Sequence, residues 1–431
     1  VDGGDVDAGD VDAGPADAGP VDAGPGFPWT FVDDTAADFA LGVSLNVGTT
    51  TPGPPTNATL VSGELTGSHE SRVFSMGGFT GRPVSVEIET EGPIWTPIPH
   101  QVVDDTEAQN YPSDGLDLTD LVMLVGFDGA SMGSVAHQTI VDDDSGNGMA
   151  LSFFDNAPLG NSQFEPGVVG QSLFIAREDY VIVDSASANP LFAFDDETFT
   201  FALWFKTEGC DVSEDNAVGI GGELPHIWIG ASCPDGTAVF VVGDDAAGSS
   251  IGADSSLIVA DGEWHHLVGV KSAAPEQILL YVDGAVVGSA TQPWGTFSNF
   301  TKDIFLGNFP IGTAPLWNYE SEISVDEVAI FRRALSAAEV KSLYSRAASR
   351  LLFFVKACPT VDACASADFV GPFGTTTPGF HAQEHIWPEP LGPVVLPPLT
   401  GRAFQVRFEL ARRDVTIAPT VRAVRLVVDA P

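Results

Sequence analysis

The residues with the clearest chemical potential form one short run, Asp142-Asp143-Asp144-Ser145-Gly146-Asn147-Gly148. Clustered oxygen side chains, with glycine to turn the chain sharply, suit a hard cation that takes six to eight oxygen ligands. The same run can instead cap itself, because Asp and Asn side chains bond their own backbone two residues on. Trp264-His265-His266 sets adjacent imidazoles on a strand, where neighbours point to opposite faces, so the pair does not share a metal. His381 and His385 lie between Pro378 and Pro388, which reads as a loop and not as a zinc-binding helix. Glu322-Ile-Ser-Val-Asp326-Glu327 is rich in carboxylates, but its spacing is not that of a glycosidase acid and nucleophile pair. No H-E-x-x-H or P-loop motif occurs. The expectation is a protein without catalytic residues, a glycoside-active enzyme being the most distant alternative.

Trp294, Trp317 and Tyr319 sit in loops rich in glycine and proline, where an aromatic face is free to stack on a sugar ring. Trp228, beside Cys233, reads as a core residue. The four cysteines sort into two local pairs, Cys210 with Cys233 and Cys358 with Cys364. These spacings suit disulfides, not the closer pairs of a zinc site, and imply an oxidising, exported setting.

The charge is extreme, 18 basic against 59 acidic residues, and uneven. Residues 332–431 hold 12 Lys and Arg and 8 Asp and Glu, a balance of +4, which leaves −45 before position 332. Such a field repels nucleic acid and anionic lipid. It also fits an acidic surface adapted to saline surroundings. No apolar run approaches the ~20 residues of a membrane-spanning helix.

These groups need elements to hold them. Phe199, Phe201, Leu203 and Phe205 alternate with Thr200, Ala202, Trp204 and Lys206, the period of a strand with one face buried. Leu279–Val282 runs into Asp283-Gly284, a tight-hairpin signal. Val325–Phe331 makes a last strand, and Ser336-Ala-Ala-Glu339 is a capping box opening a helix to about Arg346.

In order and spacing, Phe199–Lys206, Gly262-Glu-Trp-His-His-Leu-Val-Gly-Val-Lys271, Tyr281-Val-Asp-Gly284 and Val325-Asp-Glu-Val-Ala-Ile-Phe-Arg-Arg-Ala-Leu-Ser336 resemble the laminin-G-like, concanavalin-A-like jelly-roll family. The likeness extends back to Leu121–Asp128 and covers about half of the chain. It implies an all-β sandwich with a lectin-like role. It also implies a structural calcium held by Asp142, Asp144 and Asn147 together with Asp326, with Asp128 in reserve.

Residues 63–78 resemble the opening of a second β-sandwich common in bacterial secreted proteins. The matching later strands, Leu351–Cys358 and Gly401–Leu410, come only after the laminin-G-like part. Short strands are expected at Phe39–Val43, Thr59–Leu65, Ser71–Phe74 and Val84–Ile88. The expected organisation is therefore a tether over residues 1–26, a discontinuous β-sandwich over 27–104 plus 349–431, and a laminin-G-like domain over 105–348. Two independent small domains flanking the lectin-like one are the alternative. The tether repeats Asp-Val-Asp-Ala-Gly and related pentapeptides without Lys, Arg or aromatic residues, so it cannot bury a core. It resembles stalks that follow the processing site of bacterial envelope proteins, and the chain's start at Val1 suggests processing.

The function expected from sequence is a non-enzymatic extracellular or bacterial cell-surface protein, with a lipid tether at the N-terminus as one option, binding glycan or another surface. The alternative is a filament or coat subunit, assembled head to tail with copies of itself through the tether.

Overall fold

The structure is a computed structural model. It describes residues 28–49, 58–90, 116–127, 139–141, 143–149, 151–154, 162–176, 179–183, 198–209, 217–222, 227–244, 249–291, 304–307, 322–371, 380–381 and 398–431, with 94, 98, 133–134 and 136 between them. The tether, Asp128, Asp142, Cys210, Trp294, Trp317, Tyr319 and His385 lie outside these residues. The described chain is built from β-strands with two α-helices, Ala36–Ala40 and Ala337–Ala347, and is all-β in class.

Two compact units divide the chain: Val1–Ile94 together with Ser349–Pro431, and Trp95–Ala348. The inward junction falls ten residues before the one read from sequence. In the first unit, strands from both ends of the chain share sheets. Trp29–Asp33 and Arg82–Thr90 flank Thr420–Asp429, with Phe31 opposite Leu426. In the other sheet, Thr66–Glu70 lies beside Ala403–Arg412, with His69 opposite Phe408. Phe31 stacks on Phe74 at 5.2 Å between ring centres, joining residues of the two sheets. Phe39 lies on a helix, not on the strand expected over Phe39–Val43. Thr35 accepts from the Asp38 N–H while Asp38 reaches back to the Thr35 N–H, a second capping box that starts a helix there.

The second unit is a two-sheet sandwich. Among the described residues one sheet has eight strands in the order Ile140–Val141, Leu151–Phe154, Tyr180–Val183, Ile304–Gly307, Ala217–Gly222, Ile227–Ser232, Thr237–Asp244 and Ser249–Ile258. The other has nine strands and includes Phe199–Lys206 between His265–Ala273 and Ile323–Phe331. Their inner faces make one core that contains Phe153, Val181, Leu306, Ile229, Phe240, Phe199, Phe201 and Phe205. The expectation that Phe199–Lys206 buries one face is too modest. Its other face, through Ala202 and Trp204, is also buried, because the helix Ala337–Ala347 lies over it. That helix begins at the capping box read from sequence, with Glu339 Oε2 accepting from the Ser336 N–H at 2.8 Å. The Asp283-Gly284 hairpin takes positive φ at both residues, 51° and 76°, the conformation that such a two-residue turn requires.

Candidate functional site

The closing strand and the acidic turn carry the expected cation chemistry, and their side chains have other partners. Asp326 is fully buried, and its Oδ2 accepts from the Val168 and Val169 N–H groups at 2.8 and 3.0 Å. Its Oδ1 accepts from the Glu327 N–H at 2.8 Å. A β-carbon at Gly167 would run into Asp326 Oδ2, so glycine lets this turn close on the carboxylate. The strand bulges here: Ala202 faces Ala329 and Trp204 faces Asp326, which leaves two residues opposite Leu203. Glu327 takes a φ of 49° in the bulge, and its Oε2 accepts from the Ile98 N–H at 2.6 Å.

In the turn, Asp143 is the organiser. It accepts from the N–H groups of Leu124, Ser145 and Met149 at 3.1, 3.0 and 2.9 Å, and from Ser145 Oγ at 2.9 Å. Asp144 Oδ2 accepts from the Gly126 N–H at 3.3 Å. The Asn147 amide nitrogen donates to the carbonyls of Leu121 and Val122, each at 2.9 Å. An amide N–H₂ thus faces two carbonyl oxygens that a cation would otherwise seek. Asp326, Asp144 and Asn147 thus each satisfy backbone groups, as buried N–H and C=O groups need partners, and Asp142 lies outside the described residues. Among the described residues no group of three or more His, Cys, Asp or Glu side chains is placed to hold a metal ion. Asp143, which was not among the expected ligands, makes the most bonds in the turn.

The histidine pair separates as strand geometry requires. His266 lies under the helix with its ring 5.2 Å from that of Trp204 and 6.1 Å from that of Tyr344, and burial pushes it down to about 4. His265 has Nδ1 2.8 Å from Asp283 and Nε2 3.3 Å from Asp261. Burial opposes its charge, but the two carboxylates outweigh it and raise its pKa above the usual histidine range. Cys358 and Cys364 form a disulfide, and Cys233 is also disulfide-bonded.

A different set of side chains meets on the outer face of the eight-stranded sheet. Phe154 and Tyr180 sit directly opposite one another and stack at 5.2 Å with 8° between their planes. Tyr180 meets Phe305 edge-on at 5.6 Å. In the next row, Phe305, Gly221, Trp228 and Val241 are paired in register across four strands. Directly paired residues share a face, so Trp228 faces outward with Phe305. Gly219 pairs with Gly230 beside this row. From Phe154 to Trp228 is four strand spacings, about 19 Å. Glycine leaves no side chain between Phe305 and Trp228, roughly 9–10 Å apart by the same spacing. Phe154, Tyr180 and Trp228 are partly exposed, whereas their inward neighbours Phe153, Val181 and Ile229 are fully buried. Trp228 is therefore not the core residue expected. The alternation in Leu151–Phe154 and Tyr180–Val183 held this signal, but with apolar residues on both faces it did not say which face was open.

Residues 177–341 match the family model described as the concanavalin A-like lectin/glucanases superfamily, and this part of the chain is a laminin-G-like, concanavalin A-like domain. Solved structures with a similar course include the binding domain of Paraclostridial Mosquitocidal Protein 1, at 19% identity over 56% of this chain and 58% of that chain, with a TM-score of 0.39. Another is the binding domain of botulinum neurotoxin DC in complex with SialylT, at 12% identity over 57% and 58%, TM-score 0.39. A third is domain 4 of AbnA, a GH43 extracellular arabinanase from Geobacillus stearothermophilus, in complex with arabinotriose, at 17% identity over 52% and 98%, TM-score 0.39. The chain thus spans just over half the length of the two toxin domains. No curated protein matches.

Proposed function

We propose that this chain is a non-catalytic, lectin-like binding protein whose Trp95–Ala348 unit holds a glycan on the outer face of its eight-stranded sheet. The partly exposed Phe154, Tyr180 and Trp228, with the buried Phe305 between them, carry this reading. Aromatic faces are electron-rich and flat, so the C–H face of a sugar ring lies well against them, and the glycines leave it room to approach. Tyr180, Phe305 and Trp228 all lie within the segment that matches the lectin and glucanase superfamily. A non-catalytic role is supported by Asp326 and Glu327, whose carboxylates are engaged by backbone N–H groups and are not offered to a substrate. An extracellular or cell-surface setting is supported by the Cys358–Cys364 disulfide. No helix among the described residues is long and apolar enough to cross a membrane.

The test is a glycan array probed with the labelled chain, followed by titration of any binder against Trp228→Ala and Tyr180→Ala. Binding lost in both variants, with unchanged melting temperatures, is the expected result. A glycan bound equally well by both variants would move the site elsewhere, and silence across neutral and acidic glycans would remove the lectin reading.

A further inference from the structure

The first unit carries an exposed apolar edge. The strand Val43–Leu45 pairs with Thr66–Glu70 and ends the six-stranded sheet among the described residues. All three residues of the strand are exposed; Ser44 has its Oγ 2.9 Å from His69 Nδ1, so Val43 and Leu45 point to the opposite face. Val43 and Leu45 are 68% and 65% exposed. Leu41, Val61 and Leu65 are exposed as well. Val61 and Leu65 are brought to the end of this strand by the Val61 N–H bonding to the Asn46 carbonyl at 2.9 Å and the Asn46 amide to the Thr66 carbonyl at 3.3 Å. A cavity of about 210 Å³ opens beside Leu45, lined by Thr66, Ser68, Leu352 and Ala411, with the opposite charges of Arg350 and Glu409 at its side.

The charge pattern says what can sit here. Residues 39–63 contain no Asp, Glu, Lys, Arg or His, in a chain with a net charge of −41. Two copies of so acidic a chain repel one another across most of their surfaces. They can approach without that cost at an uncharged apolar edge. Natural sheet edges are usually guarded by lysine, proline or a bulge, and Val43-Ser44-Leu45 has none of these; its short length is its one protective feature.

We propose that this edge pairs with the same edge of a second copy. The two Val43–Leu45 strands run antiparallel about a two-fold axis, which continues the six-stranded sheet into its partner. The contact is isologous, with Leu45 of each copy packing at the cavity of the other. It uses no residue of the N-terminal tether and does not depend on glycan binding.

The experiment is sedimentation or light scattering of the full chain from micromolar to sub-millimolar concentration, at low and high salt. The expected result is a mass twice that of one chain, favoured by salt, because salt screens the acidic repulsion and leaves apolar contact intact. Val43→Lys with Leu45→Lys weakens the dimer by at least about tenfold. Val415→Lys, at a similarly exposed position elsewhere (52%), leaves it intact. Unchanged melting temperatures show that these surface variants fold. A single-chain mass over the whole range overturns the proposal. So does a dimer that survives the double lysine variant, or one that is lost only when residues 1–26 are removed.

Discussion

On the nine-stranded sheet the outward side chains Ala202, Trp204, Val268 and His266 are buried beneath the helix Ala337–Ala347. On the eight-stranded sheet the outward Phe154, Tyr180 and Trp228 remain partly exposed. Both sheets pack on the same core, and both carry aromatic residues on their second face. The difference is that a helix supplies the cover on one side, and its capping box and Tyr344 are built to hold it there. An aromatic residue on an outward face is thus fully buried in one sheet and partly exposed in the other. The local composition is similar in both cases.

The largest expected effect comes from breaking the covered side. Trp204→Ala removes a fully buried ring stacked on Tyr344 at 5.7 Å and should cost about 3–5 kcal/mol in denaturant unfolding. Trp228→Ala on the other sheet should cost about 1 kcal/mol or less. Equal losses would mean that the second face is as structural as the first.

Acidification should act through the covered side too. Folded His266 titrates at about 4, against the ordinary value of 6.5. Between these values the unfolded chain binds a proton that the folded chain refuses. The stability is therefore complete above about pH 6.5 and declines as pH falls toward 4, by up to about 3 kcal/mol. His265 has the opposite sign: its contribution is present below 6.5 and fades as pH rises through its raised value. The unfolding midpoint of His266→Phe should be flatter over this acid range, and an unaltered slope would assign the effect to other groups.

Asp326→Asn turns one accepting oxygen into an N–H₂ donor, leaves at least one of three backbone N–H groups without its acceptor, and should destabilise by about 1–3 kcal/mol. Its counterpart on the open face is Trp228→Ala read through binding, where loss of about 1.4 kcal/mol of stacking lowers glycan affinity roughly tenfold. The smallest effect is expected from calcium. Because the described turn residues bond the backbone, adding calcium or EDTA should leave the melting temperature unchanged, and a clear rise with calcium would support Asp144 and Asn147 as ligands.

The legible features were those fixed by neighbours in the chain. The strand at Phe199–Lys206, the Asp283-Gly284 hairpin and the Ser336–Glu339 cap each depend on a few adjacent residues. Thr35-Ala-Ala-Asp38 was equally local, yet Phe39 and Leu41 within an apolar run favoured a strand reading. Asp326 was legible as a residue of special chemistry but not in its role. Its partners Val168 and Val169 are 158 and 157 residues away, and a carboxylate that accepts N–H groups has the same sequence as one that binds metal.

Alternation, turns, caps and the charge imbalance follow from residue order, because each is set by chemistry within a few positions. Pairing of Thr66–Glu70 with Ala403–Arg412, the commitment of Asp326 to a distant turn, and the covering of one sheet face by the helix Ala337–Ala347 required the folded chain. A period of two gives every strand two faces. Only long-range packing assigns one to the core and leaves the other to a helix, a ligand or a second copy.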